Sequence, residues 1–178
     1  MSVDPVIAAL ALAGGALLFA AAAVHKFRDL RRFEEIFTAY GLPVPGGAPI
    51  ARAVPVLEGL VAVGLLFDDS RVAAAATAIV LLLAYAAAIA LNLRRGRRDL
   101  ACGCGGPDDR RPIAGWMVGR NLLIAAALGA LVLPSSPRAL EPTDLLTIGF
   151  GTAACALVYL CLDRLLSNSD RAGFGAQR

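Results

Sequence analysis

The chain has 178 residues, 58% of them apolar and 17% charged, with a formal net charge of +3 and a mean hydropathy of +0.68. A soluble domain carries about 45–50% apolar and about 25% charged residues, so this composition excludes an ordinary water-soluble globule. The surplus of cations is no footprint of nucleic acid, because the basic residues sit in short gaps between apolar runs, where a membrane protein carries its orientation signal.

Alanine and leucine dominate the apolar runs, which favours helices over strands in lipid. Length allows one domain, expected over residues 1–166, with a polar, disordered cytoplasmic tail at 167–178. Four cysteines without a basic n-region or cleavage site ahead of the first apolar run argue against a disulfide-stapled secreted fold. The first run is therefore expected to be a retained span.

Five runs approach the roughly 20 apolar residues that a helix needs to cross a bilayer. They cover residues 5–24, 50–67, 72–93, 113–133 and 145–162. The second is interrupted by Arg52, Pro55 and Glu58, and the fourth contains Arg120 and Asn121. The fold expected is an all-α integral membrane helical bundle of about five spans. Between the first two runs, Phe27, Leu30, Phe33, Ile36 and Tyr40 recur every three or four residues among Arg28, Arg31, Arg32 and Glu35. That pattern predicts an amphipathic interfacial helix over 27–40, closed by a Gly- and Pro-rich loop at 41–47.

Cations alternate between the gaps. Lys26, Arg28, Arg31 and Arg32 follow the first run, Arg71 alone follows the second, and Arg94, Arg95, Arg97, Arg98, Arg110 and Arg111 follow the third. Arg138 alone follows the fourth, and Arg164, Arg171 and Arg178 lie in the tail. The positive-inside rule then places the amino terminus outside and the carboxyl terminus in the cytoplasm of a multi-pass cell-membrane protein.

The sharpest local motif is Cys102-Gly103-Cys104-Gly105-Gly106-Pro107 in the basic gap after the third run. Thiols two residues apart can approach within the roughly 4.4–6.8 Å between α-carbons that a disulfide tolerates, and the intervening glycine permits the tight backbone. So small a ring is expected to be strained and exchangeable, and the neighbouring arginines favour thiolate. A redox pair ranks first, a structural pair second and a metal site last, since zinc needs about four ligands and the single histidine, His25, lies in another gap. Cys155 and Cys161, in the last run, are expected to be buried small hydrophobes.

Glu58 and Arg120 each lie roughly 10 Å deep at about 1.5 Å per residue. Unpaired charge at that depth is costly, so a Glu58–Arg120 contact is expected, with Asn121 and Tyr85 as neighbours at similar depth. His25 and Lys26 close the first run, where a lysine most often anchors at the interface. A quinone contact by His25 or Lys26 ranks behind that plainer reading.

Several features stand in order: His25-Lys26-Phe27, Tyr40-Gly41-Leu42-Pro43, Pro55 and Glu58-Gly59, Asn92-Leu93 with Arg95-Gly96-Arg97, the Cys102–Cys104 motif, and Arg120-Asn121-Leu122. Together, over residues 3–133, they make the chain resemble the MauE (methylamine utilisation) family within the DoxX-like group. The resemblance implies a DoxX-like four-helix core plus one extra transmembrane helix. It also implies thiol–disulfide redox maturation, with a thioredoxin-like partner, of the small subunit of methylamine dehydrogenase. Cys102 and Cys104 match the paired cysteines of the family, Glu58 its acidic residue, and Arg120 and Asn121 its polar pair. Bilayer quinone is a second redox partner on this reading. Disulfides of that dehydrogenase form outside the cytoplasm, whereas the charges place Cys102 and Cys104 at the cytoplasmic face; an electron relay across the membrane or an inverted topology reconciles the two. A non-catalytic membrane scaffold or chaperone subunit is the alternative, and a small transporter ranks third because no matched pair of broken spans is visible.

Overall fold

The computed structural model describes residues 4–41, 47–103, 112–129 and 138–175, with the side chains of 48 and 167–175 excepted. The described residues form six helices and no strand: α1 (Pro5–Arg28), α2 (Leu30–Ala39), α3 (Gly47–Gly64), α4 (Arg71–Arg94), α5 (Gly115–Gly129) and α6 (Pro142–Gly175). The chain is a helical membrane protein, as its composition predicts.

Local chemistry sets the helix ends. Asp4 caps α1 by accepting from the Val6 amide at 2.8 Å, and Pro5 occupies the first turn, where its missing N–H costs nothing. Asp29 ends α1 and at once caps α2, its carboxylate accepting from the Arg32 amide at 3.1 Å. The surface helix is therefore α2 alone, shorter than the expected 27–40, because α1 continues to Arg28. At the other end of the bundle, the Ser70 hydroxyl donates to the Gly64 carbonyl at 2.8 Å and pins the turn between α3 and α4.

The apolar core is built by α1, α3, α4 and α5. Ala16 and Phe19 meet Val61, Ala62 and Leu65, Ala75, Ala78 and Leu82, and Ala125 and Leu128. Close approach needs a glycine at one place: a Cβ on Gly15 would lie 3.0 Å from Leu128 and 3.3 Å from Leu65. Helix α6 packs against the outside of α1, where Gly151 receives Leu10 so closely that a Cβ would stand 2.8 Å from its methyl. Most of α6 is apolar and uncovered, including Leu146, Phe150 and Leu157, as a lipid-facing helix must be.

Three helices are long and apolar enough to cross a membrane: Pro5–Arg28, Arg71–Arg94 and Pro142–Leu166. The shorter α3 and α5, which carry the charges Arg52, Glu58 and Arg120, pack among them. Connections alternate between two ends. Arg138 reaches Asp144 at 2.9 Å and Asp4 at 3.9 Å, so the starts of α1 and α6 share one end; the carboxylate of Asp144, by hydrogen bond first and charge second, raises the Arg138 guanidinium above its ordinary range. Arg97 donates to the Ala39 carbonyl at 2.7 Å, so the end of α4 meets the end of α2 at the opposite, arginine-rich end.

Two expectations change. Helix α6 continues to Gly175 through the stretch expected to be disordered; no proline interrupts it, and extending an existing helix needs no new nucleus. Cys155 and Cys161 are exposed free thiols rather than buried ones, because α6 lies outside the core.

Candidate functional site

The arginine-rich end of the bundle closes over a cavity of about 370 Å³ to which all six helices contribute. Lys26 of α1 is the first polar group in its wall. It follows Ala16, Phe19 and Ala23 on the buried stripe of α1, at the three- and four-residue spacing that keeps side chains on one face, and only 5% of it is exposed. Its ammonium lies 2.5 Å from Glu58 Oε1 of α3, and Glu58 is wholly buried. The Tyr85 hydroxyl of α4 donates to the same carboxylate oxygen at 2.7 Å. The rings of Phe33 and Tyr85 lie 5.3 and 5.4 Å from the ammonium, within cation–π range.

Beside this cluster, α5 presents Arg120 and Asn121. Arg120 donates to Asp163 of α6 at 2.9 Å and stacks against Trp116 and Tyr159, with ring centroids 5.4 and 5.8 Å away. The expected Glu58–Arg120 pair is thus replaced by two separate pairs, Lys26–Glu58 and Arg120–Asp163. The physical reason is that α1 and α6 each carry an oppositely charged residue to the same depth.

Three buried polar atoms in this wall have no hydrogen-bond partner among the described residues: Glu58 Oε2, Arg120 Nε and Asn121 Nδ2. An unsatisfied buried group costs about 1–3 kcal/mol. All three belong to residues that line this one cavity.

Cys102 and Gly103 form part of the cavity wall. Cys102 is disulfide-bonded; Cys104 lies outside the described residues. The segment is fastened from both sides. Ala101 and Pro112 form an antiparallel bridge, and the Ile113 amide donates to the Leu100 carbonyl at 2.9 Å. The Tyr40 hydroxyl donates to the Cys102 carbonyl at 3.2 Å. Asn92, fully buried, donates to the Tyr40 carbonyl at 3.2 Å and accepts from Arg97 at 3.2 Å. Gly103 has φ of +65°, and a Cβ there would come within 3.0 Å of Ile36, so this glycine serves both the turn and the packing on α2.

Of the residues singled out from sequence, Cys102, Glu58, Tyr85, Arg120, Asn121, His25 and Lys26 all line this one cavity. Tyr40, Asn92 and Asp163 were not singled out as site residues. Asn92 and Asp163 lie close to the ends of apolar runs, where a polar residue looks like a terminus. No group of three or more metal-ligating side chains occurs among the described residues.

The family described as "Methylamine utilisation protein MauE" matches residues 3–134. The chain is 38% identical to the methylamine utilization protein MauE of Paracoccus denitrificans, covering 82% of this chain and 79% of that one. It is 34% identical to the MauE of Methylophilus methylotrophus, over 92% and 87% of the two chains. It is 35% identical to the MauE of Methylorubrum extorquens, over 98% and 94%. No solved structure matches.

Proposed function

Given that the chain belongs to the MauE family of methylamine utilisation proteins, we propose that it serves methylamine utilisation as a membrane thiol–disulfide exchange component. Cys102 and Cys104 are the exchanging pair. A thiolate of a reduced, thioredoxin-like partner attacks one of the two sulfurs and forms a mixed disulfide. The second thiol of the partner then attacks that bond, leaving the partner oxidised and Cys102 and Cys104 as thiols. Tyr40, Asn92 and Arg97 act as positioning residues that hold the Cys102 segment against the bundle, and Glu58, Lys26, Tyr85, Arg120 and Asn121 form the polar layer beneath it.

The observation that carries this reading is a disulfide-bonded Cys102 in the wall of a cavity whose floor is a buried charge cluster. A cystine that served packing alone would not need a polar layer under it. The alternating ends of the helices and the clustering of arginines at the cysteine end support five spans in the cytoplasmic membrane, with the amino terminus outside and the carboxyl terminus in the cytoplasm.

The test is a redox titration in isolated membranes, with thiols trapped by alkylation and counted by mass across a series of glutathione potentials. A reversible two-electron transition of Cys102 and Cys104 between roughly −150 and −300 mV is expected, the range of exchange-competent dithiols. If the two residues never join at any potential, the exchange mechanism is excluded.

A further inference from the structure

Lying between the Cys102 turn and the charged layer, the cavity has a mixed character that limits what fills it. Its walls are largely aliphatic and aromatic, with Phe19, Phe33, Phe37 and Tyr85 among them. It also reaches the lipid-facing surface: Leu160 of α6, which helps line it, is 55% exposed. Its volume of about 370 Å³ falls in the range of small-molecule sites, about 300–1,000 Å³. A hydrocarbon chain would fit the walls and leave Asn121 Nδ2, Arg120 Nε and Glu58 Oε2 unsatisfied. A small soluble anion would satisfy the two donors, but it would lie in an apolar chamber beside the carboxylate of Glu58.

A flat, apolar ring bearing oxygens at opposite edges meets both demands. Its carbonyl form accepts from Asn121 and Arg120, and its hydroxyl form donates to Glu58. We propose that this cavity binds the ring of a membrane quinone, and that the quinone is the oxidant that restores the Cys102 disulfide. The inference rests on the exchange reading above and names its electron acceptor.

The balance is simple. Two thiols lose two electrons and two protons as the S–S bond forms. The two carbonyl oxygens of the quinone gain those electrons and protons and become hydroxyls. Lys26 and Tyr85, both hydrogen-bonded to Glu58, stand in the same wall as Cys102 and can pass protons without opening the site to water.

Trp116 is the single tryptophan of the chain, and its ring centroid lies 5.4 Å from the guanidinium of Arg120, which lines the cavity, so its emission is expected to respond to a quinone bound there. Purified full-length protein is titrated with a decyl-tailed benzoquinone, following Trp116 emission. In parallel, protein reduced beforehand with dithiothreitol and desalted is mixed with the same quinone, following quinol by absorbance and thiols by alkylation. Saturable quenching is expected, with one quinol formed per disulfide. Asn121→Leu should weaken binding at least tenfold. Should that variant fail to fold, Ile124→Phe, which adds bulk to another residue of the cavity lining, should abolish quenching. Cys102→Ser should reduce no quinone.

Quenching that rises linearly and equally in all variants is partition into detergent and overturns the proposal; the glutathione titration, still reversible, would then leave the exchange reading standing. Saturable binding without quinol formation by the reduced protein overturns the electron-transfer step. Cysteines that never titrate remove the exchange reading and this step with it.

Discussion

Lys26 and Glu58, 32 positions apart in sequence, meet at 2.5 Å with both side chains buried. The pair holds α1 against α3 at the level where the Cys102 segment closes the bundle. Taking one ion of a buried pair away leaves the other uncompensated, which costs far more than removing both.

Lys26→Met and Glu58→Leu are therefore each expected to destabilise the protein by about 3–5 kcal/mol. The double variant should recover most of that loss. Thermal unfolding in detergent, with and without bound lipid, measures all three. Equal unfolding temperatures for wild type and both single variants would mean that the pair does not bear on stability.

Gly103→Ala tests the fastening of the cysteine turn. The left-handed φ of +65° costs an L-residue about 1–2 kcal/mol, and the new methyl would press on Ile36 at 3.0 Å. Faster alkylation of Cys102 after mild reduction is expected, since the turn lifts from α2. Adding Ile36→Ala should relieve the contact and only part of the effect, because the backbone cost remains. Unchanged alkylation in Gly103→Ala would show that the turn does not depend on this glycine.

Much of this arrangement is legible in the sequence, and the misses have definite causes. Intramembrane Glu58 and Arg120 announce themselves because charge at depth needs a partner. Which partner each takes is a question of helix length. With the first apolar run ending at Val24, Lys26 looks like an interfacial anchor, whereas α1 continues to Arg28 and carries Lys26 inward on the stripe of Ala16, Phe19 and Ala23. The same stripe, extended by one step of three residues, would have found it. Asp163 is hidden by a similar boundary, since the last apolar run fades at about residue 162 or slightly beyond while the helix runs on. The exposure of Cys155 and Cys161 leaves no mark in the sequence, because hydropathy cannot distinguish a helix inside a bundle from one against lipid. The linkage of Asn92 to Tyr40 and Arg97 joins segments 52 and 5 positions apart and leaves no periodic signal at all.

The contacts that hold helix α6 to the bundle include the Arg120–Asp163 pair and the close approach of Gly151 to Leu10. Asp163→Ala removes a hydrogen-bonded charge from Arg120 and is expected to cost about 1.5–3 kcal/mol. Gly151→Leu, which would drive a side chain into Leu10, should loosen the other end. A cysteine pair at Leu10→Cys and Gly151→Cys, placed in a background of Cys155→Ser and Cys161→Ser, should cross-link readily, and the yield should fall when Asp163→Ala is added. Undiminished cross-linking would show that α6 docks without the Arg120 contact.

The number of spans and their direction can be read with single cysteines in a cysteine-free background. Each connection lies at one of two ends, so successive positions report whether α3, α4 and α5 cross between them. Arg31→Cys and Gly96→Cys lie at the arginine-rich end, while Asp69→Cys and Ala139→Cys lie at the other. A membrane-impermeant maleimide added to intact cells should label the latter two, and the former two only after permeabilisation, because four or more cations beside a span are held in the cytoplasm. The reverse pattern would keep these crossings and turn the Cys102 segment outward, where it could serve disulfide formation outside the cytoplasm directly. Labelling of Arg31→Cys and Asp69→Cys from the same side would mean that α3 does not cross. Glu58 would then no longer lie in a spanning helix, and its pairing with Lys26 would have to be explained by burial within the protein alone.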